Sequence, residues 1–251
     1  MDPNYSRLPS IRLSRSAWRW WNDIANREGR FAATCQLLVA LWEFLRDSTP
    51  QRRRQRYGDA GFDWDHRVDT TSAVVDWRDR MLGAFHSPYQ PTEADLFHEM
   101  FEALREQTHI DFHDFVFVDL GSGKGRTLLM ASDYPFRRIT GVELLPTLHQ
   151  TAQKNINEYR SESQKCFALE SLCADASEFS FPPEPTLLYL FNPLPESGLR
   201  KVIANLEKSL PSNPREVYVL YHNPLLEEVL SQSSSLRKLG GTHQFAMYKT
   251  R

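Results

Sequence analysis

The sequence predicts an α/β fold: a mainly parallel sheet of seven strands with helices on both faces, preceded by a helical segment of different character. Three observations predict it. From about residue 90, short apolar runs alternate with stretches of helical period, the pattern of a parallel sheet covered on both sides. The first apolar run ends in a glycine-rich turn that leads directly into a helix. All six tryptophans lie before residue 80, which sets the N-terminal third apart. The expected division is a helical, basic, tryptophan-rich segment over 1–85 and a sheet domain over 86–251.

At 251 residues, with 41% hydrophobic and 25% charged, the chain can bury a full core, and wholesale disorder is excluded. Net charge is -2, unevenly spread. Residues 1–60 hold 11 Lys/Arg against 6 Asp/Glu, a net of +5, and the remainder holds 19 against 26, a net of -7. Cys35, Cys166 and Cys173 form no C-x-x-C pair, which argues against a disulfide framework and a cysteine zinc site and fits a reducing, cytoplasmic compartment. His109 and His113 have no third ligand in sight, so no metal site is expected. The polar start has no signal core, and the apolar run 31–45 is interrupted by Gln36 and Glu43. It falls short of the ~20 apolar residues a spanning helix needs, so no membrane span is expected.

Element by element, Trp18, Trp21, Ile24 and Ala25 recur at helical spacing, and Gly29 breaks that helix. Residues 31–46 are apolar nearly all round, which predicts a helix covered on several sides. Pro50 ends it, and Arg52, Arg53, Arg54 and Arg56 follow as a basic run. Thr92 begins a capping-box-like Thr-Glu-Ala-Asp before a helix over 94–105. Strands are expected at 115–120, 139–144, 166–173, 186–191 and 216–221. Helices are expected at 125–131, at 146–159 with proline in the first turn, at 196–210 and near 225–230. Residues 236–239 and 244–249, with Gly240 and Gly241 between, read as a closing hairpin.

Ligands on such sheets bind at the carboxyl ends of the strands. There the strongest signal is 118–126, Val-Asp-Leu-Gly-Ser-Gly-Lys-Gly-Arg, a strand, a glycine turn and a helix start. Gly121 and Gly123 let backbone approach a ligand closely. A P-loop is disfavoured, because Lys124 is followed by Gly125 and the pattern's first glycine would fall on Val118. A dinucleotide fingerprint is weakened, because Arg126 holds the place of its third glycine. S-adenosylmethionine, with no pyrophosphate to cradle, is the third option. Acids at successive strand ends suit it. Asp119 can meet the methionyl ammonium, Glu143 both ribose hydroxyls and Asp175 the exocyclic amine of adenine. The ribose contact does not separate this ligand from NAD.

Residues 89–225 resemble the class I S-adenosylmethionine-dependent methyltransferases, a Rossmann-like family. Residues 119–125 match its first motif, Glu143 the acid of the second and Asp175 that of the third. The chain is similar, more closely, to a bacterial group of undefined substrate through Val68-Asp69-Thr70, Tyr89-Gln90-Pro91-Thr92, 117–126, Phe191-Asn192-Pro193 and 214–219. The first motif also resembles that of Dot1-like lysine methyltransferases. The resemblance implies that Tyr89 and Thr92 fold over the methionine end of the cofactor. It also implies that Asn192 orients an attacking nitrogen, since amino-directed members carry Asn-Pro-Pro-Tyr at this strand end. Here Pro195 replaces the aromatic residue, which weakens a nucleobase acceptor more than an amine.

The expectation is therefore a methyltransferase using S-adenosylmethionine on a nitrogen acceptor (protein lysine, small amine or nucleobase). Tyr89, Thr92, Asp119, Gly121, Gly123, Glu143, Asp175 and Asn192 bind the cofactor, and Asn192 is also catalytic. His222 is a candidate base. Residues 1–60 offer a contact for nucleic acid or protein, or serve as a cap on the core with its tryptophans packed inside. The rival readings are an NAD-dependent oxidoreductase and a non-catalytic nucleic-acid-binding module.

Overall fold

The computed structural model describes residues 13–47, 60–71 and 91–251. The expectations for Pro50, the basic run 52–56, Trp77 and Tyr89 lie outside the described residues.

Seven strands form one sheet in the order β3-β2-β1-β4-β5-β7-β6. They are β1 (Val116–Leu120), β2 (Ile139–Glu143), β3 (Leu169–Cys173), β4 (Thr186–Phe191), β5 (Val217–His222), β6 (Leu236–Gly241) and β7 (Phe245–Thr250). The first five run parallel, and β7 joins β5 antiparallel with β6 on its outer edge. The expected Rossmann-like, mainly parallel architecture is the one adopted.

Alternation along the strands divides the core into two layers. Phe117, Leu187, Tyr189, Tyr218 and Leu220 point to one face. There they meet Phe97, Met100, Phe101 and Leu104 of α4 (Ala94–Thr108) and Leu128 and Met130 of α5 (Arg126–Ala131). Val116, Val118, Leu188, Leu190, Val217 and Val219 point to the other. They meet Leu199, Val202, Ile203 and Leu206 of α7 (Glu196–Ser209) and Val229 and Leu230 of α8 (Glu227–Ser231). The helix α6 (Pro146–Glu158) begins with the expected proline and packs beside β2 and β3.

Upstream, α1 (Leu13–Glu28) and α2 (Arg30–Asp47) are separated by Gly29 at φ +91°, as the spacing predicts. A short α3 (Ala60–His66) follows. Two ion pairs tether α1 to the carboxyl edge of the sheet. Arg19 reaches Asp175 at 3.6 Å, and Arg27 reaches Glu196 at 3.1 Å.

Four expectations need correction. The helix over 31–46 is not covered on several sides: Phe31 is 86% exposed, and Leu38, Val39 and Trp42 are also open, while Ala33 is buried. Its apolar composition exceeds what pairing with α1 can cover. Trp18 and Trp64 are exposed as well, so these tryptophans are not core. The third strand begins at Leu169, not 166, because the amides of Lys165 and Cys166 both donate to Ser132 O and hold that stretch off the sheet. Gly240 and Gly241 lie inside β6, where the ladder slips by a residue, and the turn falls after them.

Candidate active site

The glycine turn 121–125 begins where β1 stops, and each of its three glycines has positive φ. At Gly121 (φ +92°) the absence of a side chain has a second cause: a Cβ would overlap Pro193, which follows β4. The turn and the Asn192-Pro193 loop are thereby pressed together. The amides of Gly121 and Ser122 both donate to Val142 O, at 2.8 and 3.1 Å, and bind the turn to β2.

Two acids stand beneath this turn. Glu143 ends β2 and is buried; its Oε2 accepts from Gly123 N and its Oε1 from Leu145 N, both at 2.8 Å. Asp119, in β1, is 2% exposed and accepts from Thr127 Oγ1 of α5. Burial pushes its carboxyl up to about 7; the Thr127 hydroxyl opposes the shift and the Glu143 charge adds to it. No cation among the described residues balances it.

The turn's own basic residues are engaged elsewhere. Lys124 Nζ lies 2.7 Å from Asp69 Oδ1. Arg126 is 2% exposed. It donates through Nε to Thr92 O at 2.8 Å and through Nη1 to Thr70 Oγ1 at 3.0 Å, and it lies 3.7 Å from Asp63 and 4.3 Å above the Phe62 ring. Asp63 caps the bend at 70–71 by accepting from the amides and hydroxyls of Thr70 and Thr71. Asn155 of α6 holds both Asp69 and Lys124. Residues 60–71 are thus built into the site, although the sequence places them in the appended segment.

Asp175 lies two residues beyond β3. Its Oδ1 accepts from Ser177 N at 2.9 Å and caps a single 3-10 turn, and its Oδ2 faces Arg19. It is therefore not the last residue of the strand but the cap of the loop that follows. Thr92 is not a helix cap either, since Glu93 occupies that position without a side-chain bond. The Thr92 hydroxyl instead meets Tyr189 OH at 3.0 Å, and Tyr189 OH meets His222 Nδ1 at 2.8 Å. Burial raises Tyr189 well above the usual phenol range and pushes His222 down to about 4, leaving the imidazole neutral. The His222 ring stacks on Phe191 with centroids 3.9 Å apart and planes 19° from parallel.

Asn192 adopts a left-handed conformation, φ +44°. Its Oδ1 accepts from Tyr221 OH at 2.8 Å, and its Nδ2 donates to Asn223 O. The amide is thus oriented by β5, with one lone pair of Oδ1 remaining. Within the described residues the fold gathers Thr92, Asp119, Gly121, Gly123, Glu143, Asp175 and Asn192 along one edge of the sheet. Sequence reasoning missed Lys124 and Arg126 as braces, and Tyr189 as the link between Thr92 and His222. The Val68-Asp69-Thr70 phrase was the available signal for the braces. Tyr189, the polar aromatic in an apolar strand, was the signal for the link.

No protein-family model matches the chain, and no curated protein matches it. Solved structures do. An rRNA methyltransferase from Streptomyces viridochromogenes is similar over 66% of this chain and 87% of its own, at 12% identity and TM-score 0.45. An RNA methyltransferase from Salinibacter ruber, in complex with S-adenosyl-L-homocysteine, is similar over 64% and 92%, at 22% identity and TM-score 0.39. A ribosomal protein L11 methylase from Lactobacillus delbrueckii subsp. bulgaricus is similar over 65% and 88%, at 13% identity and TM-score 0.41. Among the described residues no helix is long and apolar enough to cross a membrane.

Proposed function

We propose that the protein is an S-adenosylmethionine-dependent methyltransferase acting on a nitrogen acceptor. One observation carries this reading: Asp119 is a deeply buried carboxylate under the glycine turn, its charge opposed by burial and by Glu143. Such a site is repaid by a cationic ligand and penalised by an anionic one. Lys124 and Arg126, the residues able to offset a pyrophosphate, are committed to Asp69, Asp63 and Thr92. A dinucleotide is disfavoured on the same ground.

The residues fit the cofactor's parts. Asp119 would hold its ammonium, Glu143 its ribose hydroxyls and Asp175 the adenine amine. Gly121 and Gly123 would give it room, and Tyr89 and Thr92 would close over its methionine end. When bound, S-adenosylmethionine supplies an electrophilic methyl on a sulfonium. The chain's own task is to orient the acceptor, and Asn192 does so by accepting an N–H through the remaining lone pair of Oδ1, so that the nitrogen lone pair faces the methyl. Tyr221 and Asn223 fix that amide before any ligand arrives.

The test has two parts. S-adenosylmethionine raises the melting temperature, as a ligand selective for the native state must, and Glu143→Ala abolishes the shift. A methyl-labelled donor then transfers label into a bacterial extract separated into RNA, protein and small amines, and the labelled fraction names the acceptor class. A full shift in the variant removes the ribose assignment. Tight NADH binding without S-adenosylmethionine binding removes the whole reading.

A further inference from the structure

Much of the open apolar surface of the described residues lies on one helix. On α2, Phe31, Leu38 (61% exposed), Val39 (55%) and Trp42 (66%) are uncovered, and Cys35 is exposed among them. Phe31, Cys35, Leu38 and Trp42 follow one another at intervals of four, three and four residues. That spacing sets them in a single stripe along about three turns, with Val39 at its flank. α1 takes the other side of the helix: Ala33 is buried, and Thr34 Oγ1 accepts from Trp21 Nε1 at 3.4 Å.

Alternating intervals of four and three are those of a coiled-coil seam, which is narrower than the face a helix turns to a globular core. The occupant such a seam fits is another helix. A short seam suffices here, because α2 is already folded against α1 and pairing does not bear the cost of helix nucleation. The four apolar side chains expose on the order of 500 Å², counted from the usual areas of such groups. A standard stable interface takes about 800 Å² from each partner, and Arg30, Cys35, Thr34 and Gln36, all exposed, are at hand to supply the remainder. Charge argues against an anionic surface as the occupant. Gln36 donates to Glu28 Oε2 at 2.7 Å and fixes an acid at the margin, while Arg19 and Arg27 of α1 are turned to Asp175 and Glu196. A helix lying on anionic lipid carries Lys and Arg along that margin. An uncharged stripe, by contrast, complements itself, as a two-fold interface requires, since both copies present the same patch.

We infer that α2 is a dimerisation helix: two copies of the chain pair their Phe31-Cys35-Leu38-Trp42 stripes, antiparallel, about a two-fold axis. Antiparallel order sets the two helix dipoles head to tail. It places Phe31 against Trp42 of the partner subunit and brings Cys35 and Leu38 to the axis, with the helices about 8–10 Å apart. The pairing leaves α1 and its ion pairs to the core in place, so each copy keeps the Arg19 bond to Asp175.

Sedimentation equilibrium of the full chain reads the association, and a dimer with a Kd of about 10 µM or tighter is expected. Leu38→Glu sets two like charges together at the axis and is expected to weaken association by about tenfold or more. Its far-UV spectrum stays that of wild type, because Leu38 is open in the single copy. Phe167→Glu alters an equally open apolar residue ahead of β3 and leaves the Kd unchanged. A bismaleimide of about 10 Å span joins Cys35 to Cys35 of the partner subunit, and Cys35→Ser abolishes the joined product. Arg30→Cys added to Cys35→Ser does not restore it, since antiparallel order holds the two thiols about 20 Å apart. A monomer at about 100 µM, or an undiminished dimer in Leu38→Glu, overturns the inference. Joining at position 30 as fast as at position 35 overturns the antiparallel arrangement. A chain that stays monomeric and binds phosphatidylserine vesicles, with binding lost in Leu38→Glu, gives the stripe to a membrane and overturns the dimer.

Discussion

Glu143 adds to the cost of charging Asp119, its neighbour at the ends of adjacent strands, and burial supplies the larger part of that cost. The Asp119 carboxyl, at about 7, is near half protonation at neutral pH in the free protein. A ligand ammonium favours its ionised form, so binding releases a proton. S-adenosylmethionine affinity is expected to rise with pH up to about 7 and then level off. Calorimetry at pH 6.5 in buffers of different ionisation enthalpy measures the proton directly. Asp119→Asn abolishes the release, and a pH-independent wild-type affinity contradicts the ammonium assignment.

The same group shapes stability. Asp119 titrates higher in the folded chain than unfolded, so its contribution is complete below pH 4 and is lost as pH rises through 7. His222 is lowered to about 4, so its contribution is complete above about 6.5 and is lost as pH falls toward 4. At their limits they amount to about 4 kcal/mol for Asp119 and about 3 kcal/mol for His222. Between pH 4 and 6.5 the two run in opposite directions and nearly cancel. Asp119→Asn leaves His222 unopposed, so urea midpoints of that variant climb between pH 4 and 6.5 more steeply than those of wild type. Parallel curves for the two proteins refute this account.

Gly29 and Gly121 have nearly the same positive φ, +91° and +92°, and very different surroundings. Nothing lies within 4 Å of a Cβ built on Gly29, whereas one on Gly121 overlaps Pro193. Gly29→Ala is expected to cost about 1 kcal/mol of backbone strain. Gly121→Ala adds a collision with the Asn192-Pro193 loop and is expected to cost about 3 kcal/mol or more and to abolish cofactor binding. Equal losses in melting temperature would show that the loop yields and that the close approach is incidental.

The order of elements was legible because alternation and helical period are local, and the five parallel strands and their helices fall close to where apolar runs and caps put them. The glycine turn and the acids after it were legible for the same reason, since each needs only a few consecutive residues. Contacts between distant segments were not. The bond of Lys124 to Asp69 spans 55 positions and that of Tyr189 to Thr92 spans 97, and no periodicity encodes either. Burial in α2 was misread because an all-round apolar helix states what it can cover, not whether the fold supplies a cover.

Lys124 and Asp69 also allow a test of how far residues 60–71 support the site. Lys124 is 2% exposed, while Asp69 is about half exposed. Asp69→Ala removes a counter-charge 2.7 Å from a buried ammonium, at an expected cost of about 1–2 kcal/mol, reduced from the fully buried case because solvent reaches the carboxylate. Lys124→Met in the same chain removes the other member of the pair and is expected to recover part of the loss. Urea denaturation of the two single variants and the double gives the coupling. A double variant as unstable as the sum of its parents contradicts the brace, because independent contributions add and a shared pair does not.

Arg19 and Asp175 give the last prediction. Their separation of 3.6 Å at half-exposed arginine joins α1 to the loop after β3. An exposed pair of this kind contributes about 0–1 kcal/mol and weakens with salt. If Asp175 receives the adenine amine, the arginine competes for the same carboxylate. Arg19→Ala is then expected to raise S-adenosylmethionine affinity by up to about fivefold, the factor that 1 kcal/mol allows. The gain shrinks as salt is added, because salt already weakens the pair in wild type. Arg27→Ala, which removes the other α1 ion pair and leaves Glu196 its bond to Arg200, controls for a general loosening of α1. Equal gains from both variants assign the effect to α1 as a whole, and a loss of affinity in Arg19→Ala removes Asp175 from the adenine site.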